Sequence, residues 1–227
     1  GVSVNTTAGF SIVSYTGTGS NATIGHGLGV TPKTIIVKKR NGARDWRVFH
    51  ENVGNTKWLQ LNDASASQTS STMWNDTSPT SSVFSIGTSG GVNTSSGTYV
   101  FYAFAEKKGY SKFGSYTGNG NADGVFVYLG FKPAWIMIKR TDSSSAWWVL
   151  KDNKRSHTNG NNVNKYILYP NDSSVEGTDS NHMDLLSNGF KYRDSASSGN
   201  SSGNSYIFMA FAESPFVTST GIPCTAR

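Results

Sequence analysis

The chain carries one pattern twice. Ser14-Tyr15-Thr16-Gly17 with Gly19 returns as Ser115-Tyr116-Thr117-Gly118 with Gly120. In the same register Leu28-Gly29, Pro32, Lys38 and Trp46 return as Leu129-Gly130, Pro133, Lys139 and Trp147. The offset holds without a gap from Ser14 to about Glu51. The copies also end alike: Tyr99 then Ala103-Phe104-Ala105-Glu106, against Tyr206 then Ala210-Phe211-Ala212-Glu213. A duplication of about a hundred residues means two copies of one building block. Whatever is read in one copy can be tested against the other.

The block reads as β structure. Residues 10–16 alternate and end at a Gly-rich turn. Residues 33–39, 45–50, 57–61, 83–86 and 98–105 give further strand patterns in the first copy. Residues 113–117, 125–129, 134–140, 146–151, 165–169, 190–192 and 205–212 give them in the second. Short strands punctuated by Gly, Pro, Asn and Ser indicate an all-β sandwich or barrel. The best short-helix candidate is residues 183–186. Both faces of residues 98–105 and of their copy are apolar, as in strands covered on both sides. The expected architecture is all-β: two tandem β-sandwich repeats, jelly-roll or lectin-like, closely packed with pseudo-two-fold symmetry. The expected boundaries are a lead-in at 1–9, repeat one at 10–106, repeat two at 110–217 and a C-terminal tail at 218–227.

Charge excludes several classes. Only 15% of residues are charged, while 12% are aromatic. Ser, Thr, Asn and Gly replace charge, and the aromatic content argues against disorder. The net charge is +6, but the basic residues are scattered, and no basic helix, aromatic RNA-binding signature or zinc finger is present, so nucleic acid is not an expected partner. Cys224 is the single cysteine, so the fold is expected to rest on packing rather than disulfides. The opening residues lack a charged and apolar leader, and no apolar run approaches about 18 residues, so membrane insertion is not expected.

The pattern Ser-Tyr-Thr-Gly-x-Gly, then Leu-Gly-x-x-Pro, an apolar strand ending in Lys-Lys or Lys-Arg, a Trp strand and a closing Tyr-x-x-x-Ala-Phe-Ala-Glu resembles uncharacterised tandem-repeat β domains in tail and fibre virion proteins of tailed phages, many of them marine. Ser115-Tyr116-Thr117-Gly118, Gly130, Pro133, Ile138-Lys139-Arg140 and Ala210-Phe211-Ala212-Glu213 carry the likeness. It implies a virion location outside the cell, self-association with a trimer favoured or assembly with other fibre subunits, and a host-surface glycan or protein as ligand. It brings no established catalytic or binding residues.

Candidate sites therefore come from the residues. Trp74 lies in a polar loop beside Asn75 and Asp76 and has no counterpart in copy two. An exposed aromatic flanked by amide and carboxylate suits a sugar face and its hydroxyls. The other reading has Trp74 folding back to plug the end of the sandwich. Second-copy candidates are His157 and Asn159, in a loop at 151–164 about eight residues longer than its counterpart, and Asp179 and His182 in the 173–182 loop. Trp46 and Trp147 are equivalent and expected to be structural. Glu106 and Glu213, repeat mates, are expected to pair with Lys39 and Arg140 or their neighbours.

The four histidines lack metal-ligand spacing, and the acidic loop with Asp172, Glu176 and Asp179 lacks a calcium-loop pattern. Neither metal nor cofactor is expected. No nucleophile elbow, P-loop or Cys/His pair appears. The expectation is a non-enzymatic virion module for host or glycan recognition. The alternatives are a purely structural repeat and a glycan-depolymerising enzyme, which would need two carboxylates facing across a cleft.

Overall fold

Alternating side chains in residues 10–16 set the first long strand, and its pairing shows how the copy is built. The structure is a computed structural model that describes residues 1–155, 163–178 and 182–213. It divides into two units, Gly1–Asn62 with Ser67–Glu106, and Asp63–Ala66 with the chain from Lys107. Both are all-β and antiparallel.

The first unit contains β1 (Val2–Asn5), β2 (Phe10–Thr16), β3 (Ala22–Gly25), β4 (Thr34–Lys39), β5 (Arg47–His50), β6 (Lys57–Gln60), β7 (Gln68–Thr69), a helical turn α1 (Ser71–Trp74), β8 (Val83–Ile86) and β9 (Thr98–Phe104). Seven strands form one sheet in the order β1-β2-β9-β4-β5-β6-β7, and β3 pairs with β8. The second unit contains β10 (Ser111–Thr117), β11 (Phe126–Tyr128), β12 (Pro133–Arg140), β13 (Trp148–Asp152), β14 (Val163–Asn164), β15 (Met183–Leu186), β16 (Gly189–Tyr192) and β17 (Ser205–Ala212). Its sheets are β10-β17-β12-β13 and β11-β16-β15-β14. The duplication is visible in these orders. β2-β9-β4-β5 of one copy is β10-β17-β12-β13 of the other, and β3-β8 corresponds to β11-β16.

Each unit has its own core. In the first, Val13, Ile35, Val37, Phe49, Phe101 and Ala103 of the long sheet meet Phe84 and Ile86 of the short one. In the second, Ile136, Ile138, Val149 and Phe208 meet Val127, Leu185 and Phe190. The face turned away from these cores is also apolar. In β9 its members Val100, Tyr102 and Phe104 are half-buried. In the second unit the row Phe113–Met209–Met137 is buried.

Residues 183–186 are strand β15, not the short helix expected. Met183, Asp184 and Leu185 are all buried, and the segment pairs with β16 through a tight turn. Arg193 holds the Asp184 carboxylate with Nε at 2.5 Å, so a buried acid does not interrupt the strand. The lead-in, residues 1–9, contributes edge strand β1.

The repeated signature builds a corner. The Tyr15 ring stacks on Tyr99 at 5.1 Å, and Tyr116 on Tyr206 at 5.0 Å. Tyr15 donates its hydroxyl to Val92 O at 2.6 Å and Tyr116 to Gly199 O at 2.7 Å. Tyr99 accepts from Thr94 N–H and donates to Gly90 O, and Tyr206 accepts from Ser201 N–H and donates to Ser197 O. Behind each pair sits a fully buried asparagine. Asn93 accepts from Thr18 N–H at 2.7 Å and donates to Ser20 O and Gly87 O at 2.6 and 2.8 Å. Asn200 accepts from Asn119 N–H at 3.0 Å and donates to Asn121 O and Asp194 O at 3.0 and 2.8 Å. A Cβ on Gly17 would lie 2.2 Å from Thr94 O, and one on Gly118 2.3 Å from Ser201 O. The Ser-Tyr-Thr-Gly-x-Gly motif is thus a clamp between the first and last strands of its copy.

Asn200→Ala would leave buried main-chain groups without partners, each costly. We expect it to lower the stability of the second unit by about 2–3 kcal/mol, read from urea unfolding. Asn93→Ala should do the same to the first unit.

Candidate ligand-binding site

Apolar side chains exposed singly on a surface are ordinary, whereas grouped ones rimmed by polar residues mark candidate binding surfaces. β11 is the outermost strand of its sheet, and its side chains alternate. Val127 turns into the core, leaving Phe126 43% and Tyr128 60% exposed on the outer face. The strand pairs with β16 so that Phe126 faces Lys191 and Tyr128 faces Gly189. The absence of a side chain at Gly189 leaves room beside it for the Phe126 ring on the outer face. A Cβ there would stand 3.1 Å from Phe126 Cε2 and 2.1 Å from Val127 O.

Polar groups frame the two rings. Lys112 of β10 donates from Nζ to Tyr128 O at 3.0 Å, with Nζ 5.3 Å from the Tyr128 ring centroid. On the Phe126 side, Lys191 Nζ lies 2.6 Å from Asp123 Oδ1. The hydrogen bond and charge of Lys191 hold the Asp123 carboxyl below the usual range, so it stays an acceptor. Two open rings bordered by ammonium donors and a carboxylate acceptor can stack on C–H faces and bond hydroxyls.

The first copy shows that the fold does not need these rings. One repeat offset earlier, Gly25 and Gly27 stand where the second copy has Phe126 and Tyr128. Strand position was legible at 125–129, but the outward aromatics were missed. The readable signal was this glycine-for-aromatic exchange between copies.

The residues expected from sequence are distributed differently. Trp74 is fully buried and is no exposed platform. α1 turns it inward against Phe49 and Phe84, with centroids at 6.2 and 5.2 Å. It is the plug of the alternative reading. Asn75 and Asp76 are exposed and left-handed, with φ 54 and 46°. Asn75 Oδ1 accepts from Asn21 Nδ2 at 2.8 Å, and Asp76 O accepts from Asn55 Nδ2 at 3.0 Å.

His182 belongs to the second unit, where its main-chain N–H donates to Asp194 Oδ2 at 2.6 Å and ties down a loop. His157, Asn159 and Asp179 lie outside the described residues, as does Cys224. Trp46 is half-buried and stacked on Tyr102 at 6.3 Å. Trp147 meets Tyr169 edge-on at 4.6 Å while 39% exposed.

The expected Glu213–Arg140 pairing is not formed. β12 and β17 run antiparallel with Arg140 opposite Tyr206 and Pro133 opposite Ala212, so Arg140 lies at the far end of β17 from Glu213 and bonds Asp142 at 2.6 Å and Asn204 at 2.7 Å instead. Glu213 pairs with Lys154 and accepts from Asn153 Nδ2 at 2.9 Å. The expected Lys39–Glu106 pairing is not formed either: Lys39 stands opposite Tyr99 near the start of β9, whereas Glu106 lies two residues beyond Phe104 at its other end.

Among the described residues no group of three or more His, Cys, Asp or Glu is placed to hold a metal. No helix among them is long and apolar enough to cross a membrane. Glu176 of the acidic loop is bonded by Arg155 Nη1 at 2.7 Å, and Arg155 Nε also reaches Asp152 at 2.6 Å.

Comparison with known proteins adds one likeness. No curated protein and no solved structure matches the chain. One family model matches residues 1–215 and so runs through both copies, and the chain belongs to that family, described as a domain of unknown function (DUF7483).

Proposed function

We propose that this chain is a non-catalytic recognition module of a phage virion, at the head of a tail fibre or tail tip. Each unit is a lectin-like β-sandwich, and the second holds a host-surface glycan on the Phe126–Tyr128 face. The observation that carries this reading is the pair of open rings on β11, where the other copy has glycines. The virion setting and assembly with like subunits rest on the resemblance of the repeated signature.

A glycan array with the purified chain tests it. The double variant Phe126→Ala, Tyr128→Ala is expected to lose at least tenfold in affinity, about 1.4 kcal/mol, with an unchanged melting temperature. Asn75→Ala with Asp76→Ala should retain binding. Binding that survives the ring removal would sink the proposed site. No binding by a folded chain would favour the purely structural reading, which the signature's use in a corner supports. Sugar release would favour the depolymerase.

A further inference from the structure

β1 is an open edge, and edges are normally blunted. Natural sheets place lysine, proline, bulges or very short strands there, because unpaired main-chain groups invite another strand. At the opposite end of the same sheet, β7 is two residues long. The counterpart of β2 in the second copy, β10, carries Lys112. β1 has none of these devices. Its four residues, Val-Ser-Val-Asn, are all exposed, with Val2 at 54% and Val4 at 43%. Residues 1–32 carry no charged side chain, in a sequence of net charge +6. The corresponding stretch of copy two contains Lys112, Asp123 and Lys132.

The hydrogen-bond phase of this edge follows from its pairing. Ser14 N–H donates to Gly1 O at 2.8 Å, and Gly1 N donates to Ser14 O at 2.9 Å. Bonded pairs alternate along antiparallel strands. With the register Ser3↔Ile12 and Asn5↔Phe10, Ser3 and Asn5 therefore turn their main-chain groups toward β2. Val2 and Val4 turn theirs outward, to the free edge. Their side chains lie toward Gly27, where a Cβ would be 3.4 Å from both valines.

We propose that β1 pairs antiparallel with β1 of a second copy, joining the two long sheets across a two-fold axis at Ser3. In that register Val2 of one copy faces Val4 of the other, and each pair exchanges both main-chain bonds. The four valines form one apolar row on one face. Ser3 faces Ser3 as a closely spaced, non-bonded pair. Asn5 lies opposite Gly1, so no charged side chains meet. The contact is the same patch on both partners and closes after two copies. It is independent of the glycan reading, since it uses the other unit.

Light scattering with size exclusion over a concentration series tests this. The chain is expected to reach twice its monomer mass. Val4→Pro removes only an outward N–H and leaves the β1–β2 ladder intact, and it should return the monomer with unchanged circular dichroism. Val4→Lys should do the same by charge. Ser3→Cys in a Cys224→Ser background should form an intermolecular disulfide on oxidation, while Asn5→Cys should not. A monomer at every concentration, a trimer, or a dimer that survives both Val4 variants would overturn the proposal.

Discussion

Trp74→Ala is expected to destabilise the first unit by about 3–5 kcal/mol, the usual cost of deleting a large aromatic from a packed core. Trp74 fills the space between Phe49 and Phe84, and its indole Nε1 donates to Lys57 O at 2.8 Å. Removing it leaves a cavity under α1 and a carbonyl without its donor. The start of the β8–β9 loop depends on the same turn, because Gly87 N–H donates to Met73 O and Ser89 N–H to Thr72 O, both at 2.9 Å. Trp74→Phe keeps most of the packing and loses the bond, and it should cost about 1 kcal/mol. Denaturant unfolding followed by circular dichroism measures both. Phe126→Ala and Tyr128→Ala, at exposed positions, should stay within about 0.5 kcal/mol of the parent. A Trp74→Ala change within that same band would mean that Trp74 is not buried. The contrast also decides which tryptophan experiment is informative: binding lost on Trp74→Ala would report unfolding, not a ligand contact.

The burial of Trp74 and the outward rings of β11 escape a sequence reading for physical reasons. Period-two alternation and turn residues locate strands because both act within a few residues. They located β2, β4, β9, β12 and β17 to within a residue or two at each end. Burial of a loop residue depends on partners far along the chain. Ser, Thr and Asn around Trp74 suggested exposure, yet α1 sends Met73 and Trp74 inward and its polar neighbours outward. Phe126-Val127-Tyr128 reads as an apolar run, and only pairing with β16 shows that its two rings face out. The Tyr15–Val92 bond joins residues 77 apart, so the repeated signature could be seen as a motif without its role being visible. The duplication itself was legible because it needs no partner, only a second copy. The edge strand β1 was not, since four residues without a flanking apolar pattern carry too little signal.

Stability is expected to rise from pH 7 to about pH 9.5, by about 2–4 kcal/mol, each pKa unit being worth about 1.4 kcal/mol. Two lysines of the second unit are fully buried. Burial lowers Lys139 to about 8 and Lys151 to about 7. Unfolded lysine keeps its proton until about pH 10.4. Between the two values the unfolded chain binds more protons than the folded one, so stability climbs with pH. The stabilisation is absent below pH 7, where both states are charged and the folded one carries a desolvated ammonium. His26 adds to the same slope at lower pH. Burial lowers its pKa, and its Nδ1 accepts from Leu28 N–H at 3.2 Å, a bond that protonation removes. Above pH 10 the trend reverses. Burial raises Tyr15, Tyr116 and Tyr192, so the folded state holds protons that the unfolded chain releases, and that stabilisation is lost as pH climbs further. The two lysines differ in what replaces water. Lys139 Nζ donates to Ala146 O at 2.6 Å and Ala64 O at 2.9 Å, whereas Lys151 Nζ has only two carbonyls at 3.4 Å. Lys151→Met should therefore raise stability at pH 7 and flatten the slope, while Lys139→Met removes two short bonds and should not stabilise. Urea midpoints at half-unit pH intervals measure this, and a flat profile for the parent chain from pH 7 to 9.5 would show that Lys151 is solvated in the fold.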